Sequence, residues 1–495
     1  MQAPSDRWNL TRVRISCPAV LRAAALLPLL LLTGAHAAAP VSPDTVAEQL
    51  REAALAGHSV AYAWVSELTT RFGPRPAGSL NEQRAAEWAA ARLKALGFDN
   101  AHVERFPLTA WVRGSESGAL VGAVPQPLVV AALGESPPTP ADGLEGDVVI
   151  FPSLAALQAA PPGALSGKVA MVNLRMVRTQ DGAGYGAAVE GRTEGPREAA
   201  QRGAIAFILR STGTDGHRLA HTGTARYAEG RVPIPSFALS APDADQLERL
   251  SALGQIPRVH LFSSASYRSD AYSQNVVADV RGTKKPEEYV LLGAHLDSWD
   301  QGTGAIDDGA GTAIIVGAAK LIRDLPHRPQ RTVRVVLFGA EEVAQPVKPG
   351  GAFGGHAYAD GHRAELERHV LAGESDLGTE RVYAVELPAA QLHGDFATRL
   401  QRLLAPLAIL PPSRSPEDAG TDVGPSIVAG VPAFTLDQDA THYFDIHHTP
   451  DDTLDKVDRG QLEQNVAAWA VLAWLAADSD LNFRSAGALP PPPAD

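Results

Sequence analysis

The chain is almost without cysteine: Cys17 is the only one in 495 residues, and it lies in a segment that reads as removable. A mature chain without a thiol has no disulfide framework, no thiolate metal site and no cysteine nucleophile, so any metal site must use imidazole and carboxylate. An excess of basic residues is also missing. The formal charge is −13, the wrong sign for a surface that follows phosphate backbones, which excludes a nucleic-acid partner. After residue 37 no stretch approaches the ~20 consecutive apolar residues of a membrane span, so no membrane anchor is expected.

The one strong apolar run is at the start. Arg7, Arg12, Arg14 and Arg22 precede AAALLPLLLLTG, and AHA ending at Ala37 gives a small-x-small cleavage pattern. Residues 1–37 therefore read as a signal peptide, which implies export to the periplasm or out of the cell. Its removal takes Cys17 with it and brings the formal charge to −16.

Beyond it the texture changes twice. Residues 38–108 carry helical apolar spacing in TVAEQLREAALAGHSVAYAWVSELTTRFG and SLNEQRAAEWAAARLKALG, separated by the loop GPRPAGS. These form the N-terminal part of one domain. Residues 109–272 shorten to β-rich pieces such as LEGDVVIF, GKVAMVNL and AIAFILRS, with Gly and Pro between them, and read as an inserted β-rich domain. Residues 273–482 alternate continuous apolar strands with amphipathic helices, which predicts an α/β fold: a mostly parallel mixed sheet covered by helices on both faces. Residues 483–495 are a Pro-rich tail, expected to be disordered.

In such sheets ligand sites gather outside the carboxyl ends of strands. Here YVLLGAH ends at His295, RTVRVVLFGAEE at Glu341 and Glu342, and HVLAGESD at Asp376, while HHTPDDT adds His447 and His448. Directly after His295 come Asp297, Asp300, Asp307 and Asp308. One acid after a strand is usually a cap or a solvated loop residue. Four such placements on one sheet edge are not explained that way. Desolvated like charges repel and protonate unless a cation joins them, and imidazole with carboxylate suits zinc, or less exclusively cobalt or manganese. Two ions about 3.5–4 Å apart sharing one carboxylate would form a hydrolytic clamp.

From about Pro74 onward the ordered motifs GPRPAGS, AHLDSWDQGTGAIDDGAG, GAEE, ESDLG, GTD at Gly420 and HHTPDDT resemble the co-catalytic zinc exopeptidases of the aminopeptidase and glutamate carboxypeptidase superfamily. WVRGSESGAL and HTGTARYAEGRVPIPS extend the resemblance through residues 109–272, which are similar to a protease-associated domain. The resemblance implies two Zn2+ per chain. His295 and Asp376 would hold one and Glu342 and His448 the other, with Asp307 bridging and Glu341 as general base. It further implies that Asp297 orients His295, that the Asp307–Asp308 bond is cis, and that the enzyme is a homodimer.

Asp300 and Asp308 are left between support of the site and loop or cap chemistry. His447 stands where some members have a tyrosine and could donate to the oxyanion. Asp422 is the candidate acidic partner for a substrate α-amino group. The stretch VAQPVKPGGAFGG after GAEE is longer than the family pattern. The expected activity is hydrolysis of dipeptides or short peptides. A strict carboxypeptidase is the nearest alternative. A glutaminyl cyclase of similar fold would need neither His295 nor Asp376, and a receptor-like binding homologue would have lost donors that are all present here.

Overall fold

Val290, Leu291 and Leu292 show why the central strands are apolar at every position. Val290 and Leu292 join one buried cluster, shared with Ile314 and Trp469, and Leu291 joins another with Tyr358. Val335 and Leu337 divide from Val336 in the same way. Side chains alternate faces along a strand, so a sheet covered on both sides needs an apolar residue at each position. Helices Ala310–Arg323 and Arg459–Ala477 lie over the first face and helix Phe353–Gly361 over the second.

This computed structural model describes residues 42–225, 233–342, 352–417 and 419–484. The expected signal segment, the tail beyond Arg484 and the Gly/Pro-rich stretch 343–351 lie outside them. The sheet has five strands in the order Asp99–Val112, Ser266–Val280, Arg331–Phe338, Lys285–His295, His369–Glu374. The last three run parallel to one another and the first two antiparallel. Ser42, Ser79 and Asp458 cap the helices Pro43–Leu55, Leu80–Ala95 and Arg459–Ala477, each side chain accepting the N–H three residues on. The long helical pattern after Ser42 breaks near Gly57, whose φ of 74° ends the first helix before Ala61–Phe72 begins.

A second sheet of eight strands is drawn wholly from residues between Glu116 and Ser263, and it includes Leu144–Phe151, Val169–Val172 and Ala206–Arg210 from the three β-rich pieces. The chain enters and leaves this region along the ladder Asp99–Val112 with Ser266–Val280, in which Leu108 faces Ala271 and Pro107 faces Tyr272. The region also carries helices Gly184–Gln201 and Ala241–Ala252. The first of these, rich in Ala and Gly, has little apolar stripe to announce it. Among the described residues no helix is long and apolar enough to cross a membrane.

Candidate metal centre

Parallel strands in register bring their ends to one edge. His295 pairs with Phe338, and Gly293 with Glu374. The residues just past those partners, Glu341 and Glu342 on one side and Asp376 on the other, therefore flank His295. Ala340, in left-handed conformation with φ 58°, turns the chain sharply before the glutamate pair.

Asp307 arrives through a loop held from two sides. Arg75, wholly buried, donates to the carbonyls of Gly73, Leu296, Thr303 and Gly304 at 2.7–2.9 Å. Asp452 accepts the N–H groups of Ala305 at 2.9 Å and Ile306 at 2.7 Å on Oδ1, and that of Asp307 at 3.2 Å on Oδ2. The Asp307–Asp308 bond is cis. Asp308 turns back under the strand end, where its carboxylate accepts the N–H groups of His295 at 3.1 Å and Gly311 at 2.8 Å.

His295 Nε2 lies 3.1 Å from Asp307 Oδ1 and 3.2 Å from Asp376 Oδ1. Asp307 Oδ2 lies 3.3 Å from His448 Nε2 and 3.6 Å from His447 Nε2. His448 Nε2 is also 3.0 Å from Glu342 Oε2. Two groups of donor atoms, each within 4.8 Å of one another, share one member: His295, Asp307 and Asp376 form the first, Asp307, His447 and His448 the second. The expected donor residues thus meet, and His447 joins them, its ring stacked on His448 with centres 3.5 Å apart.

Asp297 meets both His295 and the glutamate pair. The His295 Nδ1–H donates to the Asp297 backbone carbonyl at 3.1 Å, while the Asp297 carboxylate stays 3.7 Å away. That carboxylate accepts the N–H groups of Glu341 at 3.1 Å and Glu342 at 3.2 Å. Past a strand end those amides have no ladder partner, and an anion is their strongest acceptor. His448 is steered by the eight-strand region: Thr222 accepts from its Nδ1 at 3.3 Å, which leaves Nε2 toward the acids. Asp300 pairs with Arg113 at 2.9 Å. Asp422 is fully buried, accepts the N–H of Gly355 at 3.0 Å, and sits beneath the cavity wall that its neighbour Thr421 lines.

Asp307, Glu341, Glu342, Asp376, His447 and His448 border a cavity of about 380 Å3. Burial and the neighbouring acids Glu342, Asp376 and Asp297 outweigh His295 and push Glu341 up to about 8. Burial, with Asp307 nearby, drives Glu342 well above the usual carboxylate range. Burial would raise Asp307 too, but the imidazoles of His295 and His448, each close to one of its oxygens, overcome it and hold Asp307 well below its ordinary value. Burial opposes protonation of His295, yet Asp376 and Asp307 raise it well above the usual histidine value. Asp307 Oδ2, Glu342 Oε1 and His447 Nδ1 are buried without a hydrogen bond. Crowded acids and orphaned donor atoms of this kind are relieved by a divalent cation, and the imidazole–carboxylate set fits one.

Three contributors escape a strand-end reading of the sequence. Arg75 stands in GPRPAGS and Asp452 in HHTPDDT, both conspicuous motifs. Arg192, which lines the same cavity, has no local signal.

Imidazoles and carboxylates gathered at adjacent strand ends of an α/β sheet define a metal-dependent hydrolase. Comparison with known proteins narrows that class. The sequence pattern of peptidase family M28 matches residues 275–473. Carboxypeptidase Q of Bos taurus is 35% identical over 417 residues, covering 84% of this chain and 85% of that protein. The chain belongs to peptidase family M28, within the co-catalytic zinc exopeptidase superfamily, and is a metallo-exopeptidase. The crystal structure of a peptidase M28 precursor from Shewanella amazonensis SB2B superposes with a TM-score of 0.85 at 43% identity, covering 91% of this chain and 99% of that one. BSAP, a zinc aminopeptidase from Bacillus subtilis, shares the fold at 22% identity, with a TM-score of 0.61 over 86% of this chain and 96% of its own.

Proposed function

We propose that the protein is an exported exopeptidase that holds two zinc ions and hydrolyses dipeptides or short peptides. One observation carries this reading: the two oxygens of the Asp307 carboxylate face different imidazoles, Oδ1 toward His295 and Oδ2 toward His448. That arrangement supports a carboxylate shared by two cations. His295 and Asp376 would hold one ion, Glu342 and His448 the other. Zinc bound there supplies Lewis acidity, which polarises the scissile carbonyl and acidifies a water molecule.

The remaining work belongs to the chain. Glu341 accepts the proton from water and returns it to the leaving amine. Asp297, holding both glutamate amides, keeps Glu341 and Glu342 in fixed relation to each other. His447 is the candidate donor to the developing oxyanion. Residues 109–272, read as a protease-associated-like insert, wall the cavity through Tyr185, Arg192 and Thr224. The signal segment 1–37, read from the sequence, and a homodimeric state, implied by the family resemblance alone, complete the reading.

One relative is a carboxypeptidase and one protein of shared fold is a zinc aminopeptidase. A dipeptide satisfies both descriptions, since it offers both termini. Purified protein with zinc should cleave unblocked dipeptides and lose most of its activity on N-acetylated ones. Equal cleavage of N-acetyl dipeptides, with C-terminal amides inert, would replace this reading with a strict carboxypeptidase. Tight metal binding without any turnover would replace it with a receptor-like homologue.

A further inference from the structure

His448 adopts a backbone conformation that few residues other than glycine take. Its φ is 58°, in the left-handed region, where a side chain persists only if its surroundings hold it there. From that position its Nε2 reaches Glu342 Oε2 at 3.0 Å and Asp307 Oδ2 at 3.3 Å.

What grips this turn comes from residues 109–272. The Nδ1–H of His221 donates to the carbonyl of His447 at 2.8 Å, and the N–H of Thr222 donates to the carbonyl of His448 at 3.1 Å. A carbonyl can only accept, so Nδ1 is the nitrogen that carries a hydrogen toward His447. The carbonyls before and after the left-handed residue are thus taken by two consecutive residues that lie 226 positions away along the chain.

His221 is itself fixed. It is buried, and its N–H donates to the Ser211 hydroxyl at 3.0 Å. On the far side of the ring Nε2 lies 3.1 Å from Asp215 Oδ1, and the other Asp215 oxygen accepts the N–H of His217 at 2.8 Å. A Cβ on Gly213 would stand 2.3 Å from the ring, so glycine there leaves the space that the imidazole fills. The same segment reaches the residues just before the turn. The carbonyl of Phe444 accepts the Thr214 N–H at 3.1 Å, and Asp445 accepts the Thr214 hydroxyl at 2.8 Å. Neither His221 nor Asp215 borders the metal-donor cavity, so whatever they do there passes through the turn.

We propose that His221, oriented by Asp215, is a positioning residue for the candidate Glu342–His448 zinc site: it holds the His447–His448 turn so that His448 Nε2 faces the acids. The proposal rests on the two-ion reading above and adds that residues 109–272 build this site as well as walling the cavity. A hydrogen bond behind a ligand fixes its direction, and its loss lowers affinity at the ion that the ligand holds. The other ion should be spared, because His295 is held by Asp297 and Asp308 instead.

The test titrates cobalt, which suits the same donors, into metal-free protein and follows visible absorbance. Wild type should show two binding steps, and the one weakened in E342Q belongs to Glu342 and His448. H221L should shift that step alone, by roughly 10- to 100-fold in affinity. H221N, whose side-chain amide can donate from the place of Nδ1, should recover it to within about 3-fold. D215A should shift the same step by less than H221L. Melting temperature of the metal-free proteins establishes that each variant is folded, and D215A carries the comparison if H221L is not. Equal shifts of both steps, no shift of either, or an H221N no better than H221L overturns the proposal.

Hydrogen exchange in the metal-free proteins reads the turn without any ion. Amides within 441–452 should exchange faster in H221L than in wild type and recover in H221N; unchanged exchange overturns the proposal. A wild type that takes up a single cobalt, weakened by H221L, would sink the two-ion reading and keep the positioning role. Two steps that H221L leaves untouched would sink the positioning role alone.

Discussion

Asp452 Oδ2 accepts the backbone N–H of Asp307 at 3.2 Å. A carboxylate in HHTPDDT thereby sets the backbone that presents the candidate bridging carboxylate. D452N keeps the size and one acceptor oxygen, but it can accept from only part of the three N–H groups now served by two oxygens. Zinc affinity should fall roughly 10- to 100-fold, the usual effect of losing a partner behind a metal site. Competition against a chromophoric chelator measures it. Unchanged affinity would show that packing alone holds the turn.

Glu341 and Glu342 are adjacent but face different neighbours, and their substitutions should separate. E341Q keeps the shape and cannot accept a proton, so kcat should drop by about 10²–10⁴ with zinc content intact. E342Q removes an anionic donor 3.0 Å from His448 and should lower zinc content after dialysis. Metal analysis beside steady-state kinetics distinguishes the two; equal metal loss in both would mean that the roles are wrongly divided.

Zinc removal should be visible in stability as well as activity. A ligand that binds only the folded state raises the melting temperature by mass action. Chelated protein should melt at a lower temperature and regain both activity and stability on zinc addition, with saturation at two ions per chain. Full activity at fewer than one ion per chain would end the two-metal reading.

Arg75 serves four carbonyls from a fully buried position. R75A would leave them unsatisfied, costing roughly 3 kcal/mol or more. R75K restores the charge without the planar fork and should recover only part of the loss. Urea unfolding of the zinc-free proteins measures this apart from metal binding. A change under about 1 kcal/mol would show that the loop 296–304 does not depend on the guanidinium.

Export should remove the segment ending near Ala37, so the mature chain should react with no thiol reagent. Intact mass of the protein recovered from its native compartment decides this. A mature chain that still carries Cys17 would overturn the assignment.

The strand-end donors were legible because buried strands must be apolar. His295, Glu341, Glu342 and Asp376 stand out at the ends of YVLLGAH, RTVRVVLFGAEE and HVLAGESD as polar residues that no ladder requires. Period and composition likewise determined the covered α/β sheet, the β-rich stretch and the capped helices, all of which are local consequences of residue order. What only the tertiary structure decided is which atom faces which. Asp452 lies 145 positions from Asp307, and Arg75 lies 229 from Gly304. The Asp297 carboxylate accepts from the glutamate amides and stands 3.7 Å from His295, and helix Gly184–Gln201, outside the five-strand sheet, brings Arg192 to the cavity. Such pairings are made by packing between distant segments. A buried charge takes whatever partner the folded chain carries to it, and no spacing along the chain encodes that meeting.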